Sequence, residues 1–200
     1  MTNTKRQIAK NVIIIMVITI ISKATGFARD ILLASKYGAS VQTDAYLVGS
    51  TMPVIIFNVV GVALGTAYIP VLTEYIKKRG KDSTNLVISN VINTFAVLFT
   101  IIAVLGVLLA PLLVRIIAPW FDGEQYRLTL TLTRILFPLI VFTGLSSVFS
   151  GTLQSFNKFT ASNLIGVSYN IIIIGTLLFL TSKHGILGLA VATVVAGLSQ

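Results

Sequence analysis

The 200-residue chain has no cysteine, a single histidine (His184) and a single tryptophan (Trp120). The first absence excludes a disulfide framework and any thiolate metal centre, and one imidazole is too few for a histidine-based metal site. Charge is scarce as well: Asp, Glu, Lys and Arg together make up 10% of the residues, against roughly 25% in an ordinary soluble domain. Acidic residues are the scarcest, six against fifteen basic ones. No pairing of a nucleophile with a base and no metal cluster stands out, so an enzyme is the least expected class, and no cofactor or metal is implied. The net charge of +9 does not point to nucleic acid, because the basic residues sit in short clusters between apolar segments with no RNA or DNA motif among them.

What the chain has in abundance is apolar residues, 55% of the total, with a mean hydropathy of +0.93. These values describe an integral membrane protein. A span needs about 20 predominantly apolar residues, and segments near 8–33, 44–75, 86–117, 127–154, 159–181 and 186–200 supply roughly six. The expected fold is all-α: a polytopic membrane helix bundle of about six transmembrane helices with short loops and antiparallel neighbours. Lys5, Arg6 and Lys10 ahead of the Ile-rich run 12–21 have the outline of a signal peptide, but Lys23 and Arg29 are poor neighbours for a cleavage site. The first segment is therefore expected to be retained.

Basic residues collect at alternate ends of the segments. Lys5, Arg6 and Lys10 precede the first, Lys77, Lys78, Arg79 and Lys81 follow the second, and Lys158 follows the fourth. The opposite ends hold Lys36, the acidic pair Asp122 and Glu124 between Arg115 and Arg127, and Lys183. The positive-inside rule then places the N-terminus in the cytoplasm, with Trp120 and Tyr126 at the outer interface.

One stretch contradicts its surroundings. Residues 22–30, Ser-Lys-Ala-Thr-Gly-Phe-Ala-Arg-Asp, put Lys23, Arg29 and Asp30 into a membrane span. Each charge costs roughly 2.5–3.5 kcal/mol at the bilayer centre, whereas each Ile or Leu returns only about 0.3–0.6. These groups are expected to face protein, water or a polar ligand. On a straight helix Lys23 and Asp30 share a face while Arg29 points about 120° from Lys23. A bend at Gly26 would bring Arg29 to the same cavity, and a helix ending near Gly26 would leave Arg29 and Asp30 as a hydrated interfacial pair.

Other segments carry weaker signals. Thr43 or Asp44 is a candidate helix N-cap, and Asp44 is alternatively a partner for Lys23 or Arg29 that an anionic ligand would displace. Pro53 and Asn58 interrupt the second apolar run, and Gly61 and Gly65 form a small-xxx-small pattern expected to serve packing. Arg134 either snorkels to the outer headgroups or faces a cavity. Gly144, Ser147 and Gly151 make a small-residue seam, and Asn163, Gly166 and Asn170 share a stripe whose amides are expected to bond to another helix. The chain closes on Gly-Leu-Ser-Gln with no polar tail, which suggests an interrupted sequence, and the six segments show no convincing internal repeat. Pseudo-symmetry of the kind typical of transporters would need a second half.

Several stretches carry a resemblance. The segment 22–30, then Tyr37-Gly38-Ala39, Thr43-Asp44-Ala45-Tyr46, Met52-Pro53, Ala67-Tyr68-Ile69-Pro70-Val71-Leu72 and Gln154-Ser155-Phe156-Asn157-Lys158-Phe159 resemble, in order, the N-terminal half of the lipid II flippases, the MurJ (formerly MviN) family. Gly-Phe-Ala-Arg-Asp followed about fourteen residues later by Thr-Asp-Ala is its most specific pair. The resemblance implies membership of the multidrug/oligosaccharidyl-lipid/polysaccharide exporter superfamily, in which two helical lobes surround a cationic cavity. The chain would be the N-lobe of a two-lobe transporter whose C-terminal lobe is its missing partner. Such a transporter moves lipid II, undecaprenyl-pyrophosphate-linked disaccharide-pentapeptide, across the bacterial inner membrane by alternating access without ATP hydrolysis.

Carried over by position, Arg29 matches a cavity arginine of the family, Asp30 its acidic neighbour, Asp44 the acid opening the second span, Lys23 a basic position often held by arginine, and Arg134 a further basic position. The chain also departs from the family. Many members have another cavity arginine after the Met-Pro or Leu-Pro step, where this chain reads Val54-Ile55-Ile56-Phe57-Asn58, and Asn58 can at most donate a neutral hydrogen bond. Expected partners are lipid II, membrane lipid and the cell-wall synthesis machinery. Rival expectations are another lipid-linked oligosaccharide flippase, a cation-coupled drug antiporter of the same superfamily, or a non-transporting scaffold held by internal salt bridges.

Overall fold

In the computed structural model, which describes the backbone of residues 2–156 and 158–200 and the side chains of 12–61, 66–78, 84–156, 158, 165–180 and 184–200, the chain is helical almost throughout, with no strand among the described residues. The elements are α1 (Thr2–Tyr37), α2 (Val41–Ala63), a π-helical turn (Leu64–Tyr68), α3 (Ile69–Ile117), α4 (Gly123–Leu136), α5 (Leu139–Ser155), α6 (Phe159–Phe179) and α7 (Thr181–Leu198). Expectations that rest on Lys5, Arg6, Lys10, Gly65, Arg79, Lys81, Asn163 and Lys183 concern side chains outside the described ones.

The distribution of polarity is inverted relative to a water-soluble bundle. Val12, Ile13, Met16, Val17, Ile20 and Ile21 are all exposed on α1, while Thr129, Thr133, Asn170 and Thr193 are buried. Hydrocarbon as the surrounding solvent accounts for both, because lipid accepts the aliphatic surface and interhelical contacts favour small and polar side chains. The buried threonines satisfy their hydroxyls on their own helices: Thr133 donates to the Thr129 carbonyl at 2.7 Å and Thr193 to that of Leu189 at 2.8 Å. Among the described residues four stretches are long and apolar enough to cross a membrane, namely Val12–Tyr37, Val41–Lys78, Thr84–Ile117 and Gly123–Ser155, and the apolar helices Ile165–Phe179 and His184–Leu198 are shorter.

Turns and breaks follow from particular residues. Gly38, at φ 58°, ends α1 by donating its N–H to the Ala34 carbonyl at 2.8 Å, a left-handed cap that glycine adopts without steric cost. The cap of α2 differs from expectation. Ser40 accepts the Thr43 N–H at 3.3 Å, while Thr43 turns its own hydroxyl back to the Gly38 carbonyl at 2.8 Å, and Asp44 sits within the first turn. Within α3 the chain reverses. Val71 and Val91 line one cavity together with Tyr68 and Phe95, whereas twenty residues of straight helix would hold the two valines about 30 Å apart. The segment expected to run unbroken over 127–154 is divided by Pro138, which has no N–H to continue the ladder. There Ile140 N–H bonds to the Phe137 carbonyl and Val141 N–H to that of Pro138, the tighter three-residue pattern, between α4 and α5.

Packing relies on close approach. A Cβ at Gly106 would lie 1.9 Å from the Phe137 ring, and one at Gly144 would lie 2.3 Å from that of Phe99. The seam expected around Gly144 and Gly151 therefore receives Phe99 and, one helix end further on, Ile69 and Tyr68. Gly61 behaves otherwise: its nearest neighbour is Phe57 of its own helix, not a second helix. The core cluster nearest the site combines Leu33, Ala45, Tyr46, Leu132, Leu136, Ile173, Leu177 and Leu189, drawn from α1, α2, α4, α6 and α7.

Candidate functional site

Two helices distant in sequence set the site. Ser22 of α1 meets Gly166 of α6, where a Cβ would be 2.7 Å from the serine hydroxyl, and one turn on Gly26 meets Asn170 at 3.4 Å. The pairs advance together, so α1 and α6 run parallel. Gly26 is thus a place of close approach rather than a bend. It is helical like its neighbours, so α1 does not end there, and Lys23 is not brought to the cavity that Arg29 lines.

One turn beyond the crossing, Arg29 reaches α6. Its Nη1 donates to Asn170 Oδ1 at 3.1 Å, while Nε and Nη2 both donate to Asp30 Oδ1, at 2.9 and 2.8 Å. The guanidinium also lies 6.0 Å from the centre of the Tyr169 ring, within the range of a cation–π contact. A guanidinium carries one N–H on Nε and two on each terminal nitrogen. One N–H on Nη1 and one on Nη2 therefore have no partner among the described residues and remain available to an oxyanion. The Arg29 side chain is 29% exposed and that of Asp30 61%, so the arginine is the more shielded of the two.

Asn170 is buried and uses both ends of its amide. Its Nδ2 lies 3.3 Å from the Ser22 carbonyl and 3.3 Å from Thr25 Oγ1. Arg29 and Asp30 line a cavity of about 180 Å³ with Leu33, Tyr46, Ser50 and Tyr169. Tyr46 is held at the α2 wall by a 2.9 Å hydrogen bond between its hydroxyl and that of Thr193 on α7.

The other residues singled out in the sequence are not brought to this cavity. Lys23, Asp44, Asn58 and Arg134 are exposed, and among the described residues none of them makes an ion pair or side-chain hydrogen bond with Arg29 or Asp30. The expected pairing of Asp44 with Lys23 or Arg29 is not formed: the partner of Arg29 is the adjacent Asp30. Lys23 lies six residues before Arg29, which on an unbent helix turns it away by about 120°. Sequence reasoning named no site role for Tyr46, Ser50 or Tyr169 and put helix packing ahead of substrate contact for Asn170. The usable signal was the match between the small-residue stripes of α1 and α6. Among the described residues no group of three or more His, Asp or Glu side chains is placed to hold a metal ion.

Comparison with known proteins gives this geometry a family. The model of the lipid II flippase MurJ family matches residues 33–200. The lipid II flippase MurJ of Burkholderia cenocepacia is 31% identical over 187 residues, covering 91% of this chain and 36% of the relative. A probable lipid II flippase MurJ of Buchnera aphidicola (subspecies Acyrthosiphon pisum) is 32% identical, covering 96% and 38%. The chain thus spans well under half the length of the relatives it matches. A solved structure of lipid II flippase MurJ in an inward closed conformation superposes with a TM-score of 0.78 at 26% identity, over 93% of this chain and 40% of that one. A MOP superfamily transporter from Pyrococcus furiosus, at 16% identity and a TM-score of 0.73 over 92% and 41% of the two chains, shares the fold. On the family match over most of its length, the chain belongs to the MurJ family.

Proposed function

We propose that this chain forms the N-terminal lobe of a lipid II flippase, which carries the undecaprenyl-pyrophosphate-linked precursor from the inner to the outer leaflet of the bacterial plasma membrane by alternating access. The observation that carries the proposal is the state of Arg29: a membrane-embedded guanidinium on a cavity wall, with one N–H on each terminal nitrogen unengaged. Arginine suits a pyrophosphate because its planar fork matches two oxygens at once. At about 180 Å³ the cavity admits a phosphate-sized group and not the disaccharide-pentapeptide. The sugars and peptide would be held by surfaces that this chain leaves exposed and that a second lobe would face.

In this mechanism the arriving anion competes with Asp30 for Arg29. Asp30 is the more exposed of the two and swings aside, then returns as the anion leaves, so release never requires a bare cation in the membrane. Lys23, Asp44, Asn58 and Arg134 would engage substrate from the exposed faces on which they stand. The N-terminus is assigned to the cytoplasm, supported by the basic end at which Lys77, Lys78 and Lys158 collect. There Ser155 donates to the Ile69 carbonyl at 3.4 Å, which brings the end of α5 to the start of α3. In a flippase-depleted bacterium, the complete gene product carrying Arg29→Ala should insert normally and fail to support growth. Normal growth would remove Arg29 from the mechanism.

A further inference from the structure

Asn170 occupies a position that packing alone does not explain. Its carboxamide is buried between two helices, and each half has a different task. The nitrogen is tied to α1 through the Ser22 carbonyl and the Thr25 hydroxyl, and the oxygen receives the Nη1 N–H of Arg29. A side chain that merely joined α1 to α6 would need only the first pair. The second fixes the flank of the guanidinium that Asp30 does not hold, since Asp30 takes Nε and Nη2.

Resting on the flippase reading above, we propose that Asn170 is a positioning residue. Anchored to the α1 backbone, it clamps Nη1 of Arg29 so that the unengaged N–H groups of the two terminal nitrogens face the cavity as a ready fork for a diphosphate. Its anchorage gives the clamp direction. The amide cannot flip without placing its NH2 against a guanidinium donor and its oxygen against the Ser22 carbonyl. Its burial keeps water from substituting for either bond. When Asp30 swings away, Asn170 is the contact that remains, so the fork keeps its orientation at the moment the anion arrives. A site whose fork is set beforehand binds an oxyanion without first having to order the arginine side chain.

The test uses the complete gene product, purified in detergent, with Asn170→Leu (similar volume, no polar atoms) and Thr25→Val, which removes one anchor and leaves Asn170 in place. Two readouts are taken. The first is the rate at which an arginine-selective dicarbonyl reagent labels Arg29, followed by peptide mass spectrometry without ligand. The second is the affinity for undecaprenyl pyrophosphate relative to a single-chain fatty alcohol of similar detergent partitioning. In Asn170→Leu, Arg29 should label several-fold faster and diphosphate affinity should fall roughly tenfold, as expected for one hydrogen bond to a charged group. Binding of the fatty alcohol, which has no oxyanion for the fork, should stay unchanged. Thr25→Val should move both values in the same direction by less, and it covers the case in which Asn170→Leu fails to fold. Labelling at the wild-type rate in both variants overturns the proposal. Faster labelling with unchanged diphosphate affinity would leave the clamp standing and remove Arg29 from the phosphate site, so the two failures are distinct.

Discussion

Arg29 and Asn170, separated by 141 residues, meet through a 3.1 Å hydrogen bond between the guanidinium of α1 and the buried amide of α6. That bond joins the charge that looked anomalous in a membrane span to a polar stripe that looked like simple helix packing. It also turns the geometry of Arg29, rather than its charge alone, into a measurable property.

Replacing Arg29 by lysine keeps the charge and removes the planar fork. An ammonium cannot reproduce the planar set of bonds to Asp30 Oδ1 and Asn170 Oδ1. Arg29→Lys should support growth only partly in a flippase-depleted strain, with diphosphate affinity in the purified protein reduced by about tenfold. Full growth support would indicate that a positive field suffices.

Asp30→Asn should have opposite effects on affinity and turnover. Without its counter-ion, Arg29 holds an anion more tightly, and release slows. Because Asp30 is 61% exposed, the effect is modest, a factor of about 1.4 to 5 in affinity, as for a pair worth about 0.2–1 kcal/mol. Equilibrium binding and a liposome flipping assay should move in opposite directions. Weaker binding in the variant would show that Asp30 assists the anion instead of competing with it.

A scaffold held by salt bridges makes a different forecast from a carrier. Arg29 bonds to Asp30 and not to Asp44. The double exchange Arg29→Asp with Asp44→Arg should therefore remain inactive in growth complementation. Recovery of function by the exchange would require an Arg29–Asp44 contact and would favour the scaffold.

The crossing of α3 with the break between α4 and α5 depends on Gly106. A Cβ there would stand 1.9 Å from Phe137, whose ring is fully buried beside Met52 and Val114. Gly106→Ala should lower stability by about 1–3 kcal/mol through overpacking. Adding Phe137→Leu should recover part of the loss, as read by thermal unfolding in detergent. An unchanged melting temperature in the single variant would contradict this close approach.

The sequence disclosed the environment of each segment better than it disclosed the neighbours. Composition alone required a membrane bundle, and the cost of placing Arg29 among aliphatic residues required a polar refuge for it. The direction in which it turns could not be read, because a hydrophobic run of nearly uniform character has little amphipathic periodicity to orient it. Lys23 and Arg29 looked like a pair because they are near in sequence; on an unbent helix they diverge, and only the α6 contact shows which one is shielded. Ser40 caps α2 in place of Thr43 or Asp44 because the cap is decided by where the Gly38 turn finishes, and a string of candidate hydroxyls does not rank itself. Asn170 was visible as part of a stripe with Gly166, but its second bond depends on a residue 141 positions away.

The interruption at Pro138 divides one membrane crossing into two short rods with different allegiances. Gly49 of α2 admits the backbone of Thr133 on α4, whereas Gly144 of α5 admits Phe99 of α3. Phe137, at the break itself, is received by Gly106 of α3, so the junction is seated within the bundle. A side chain added at Gly49 would bear on α4, and one added at Gly144 would bear on the ring that α3 lends to α5.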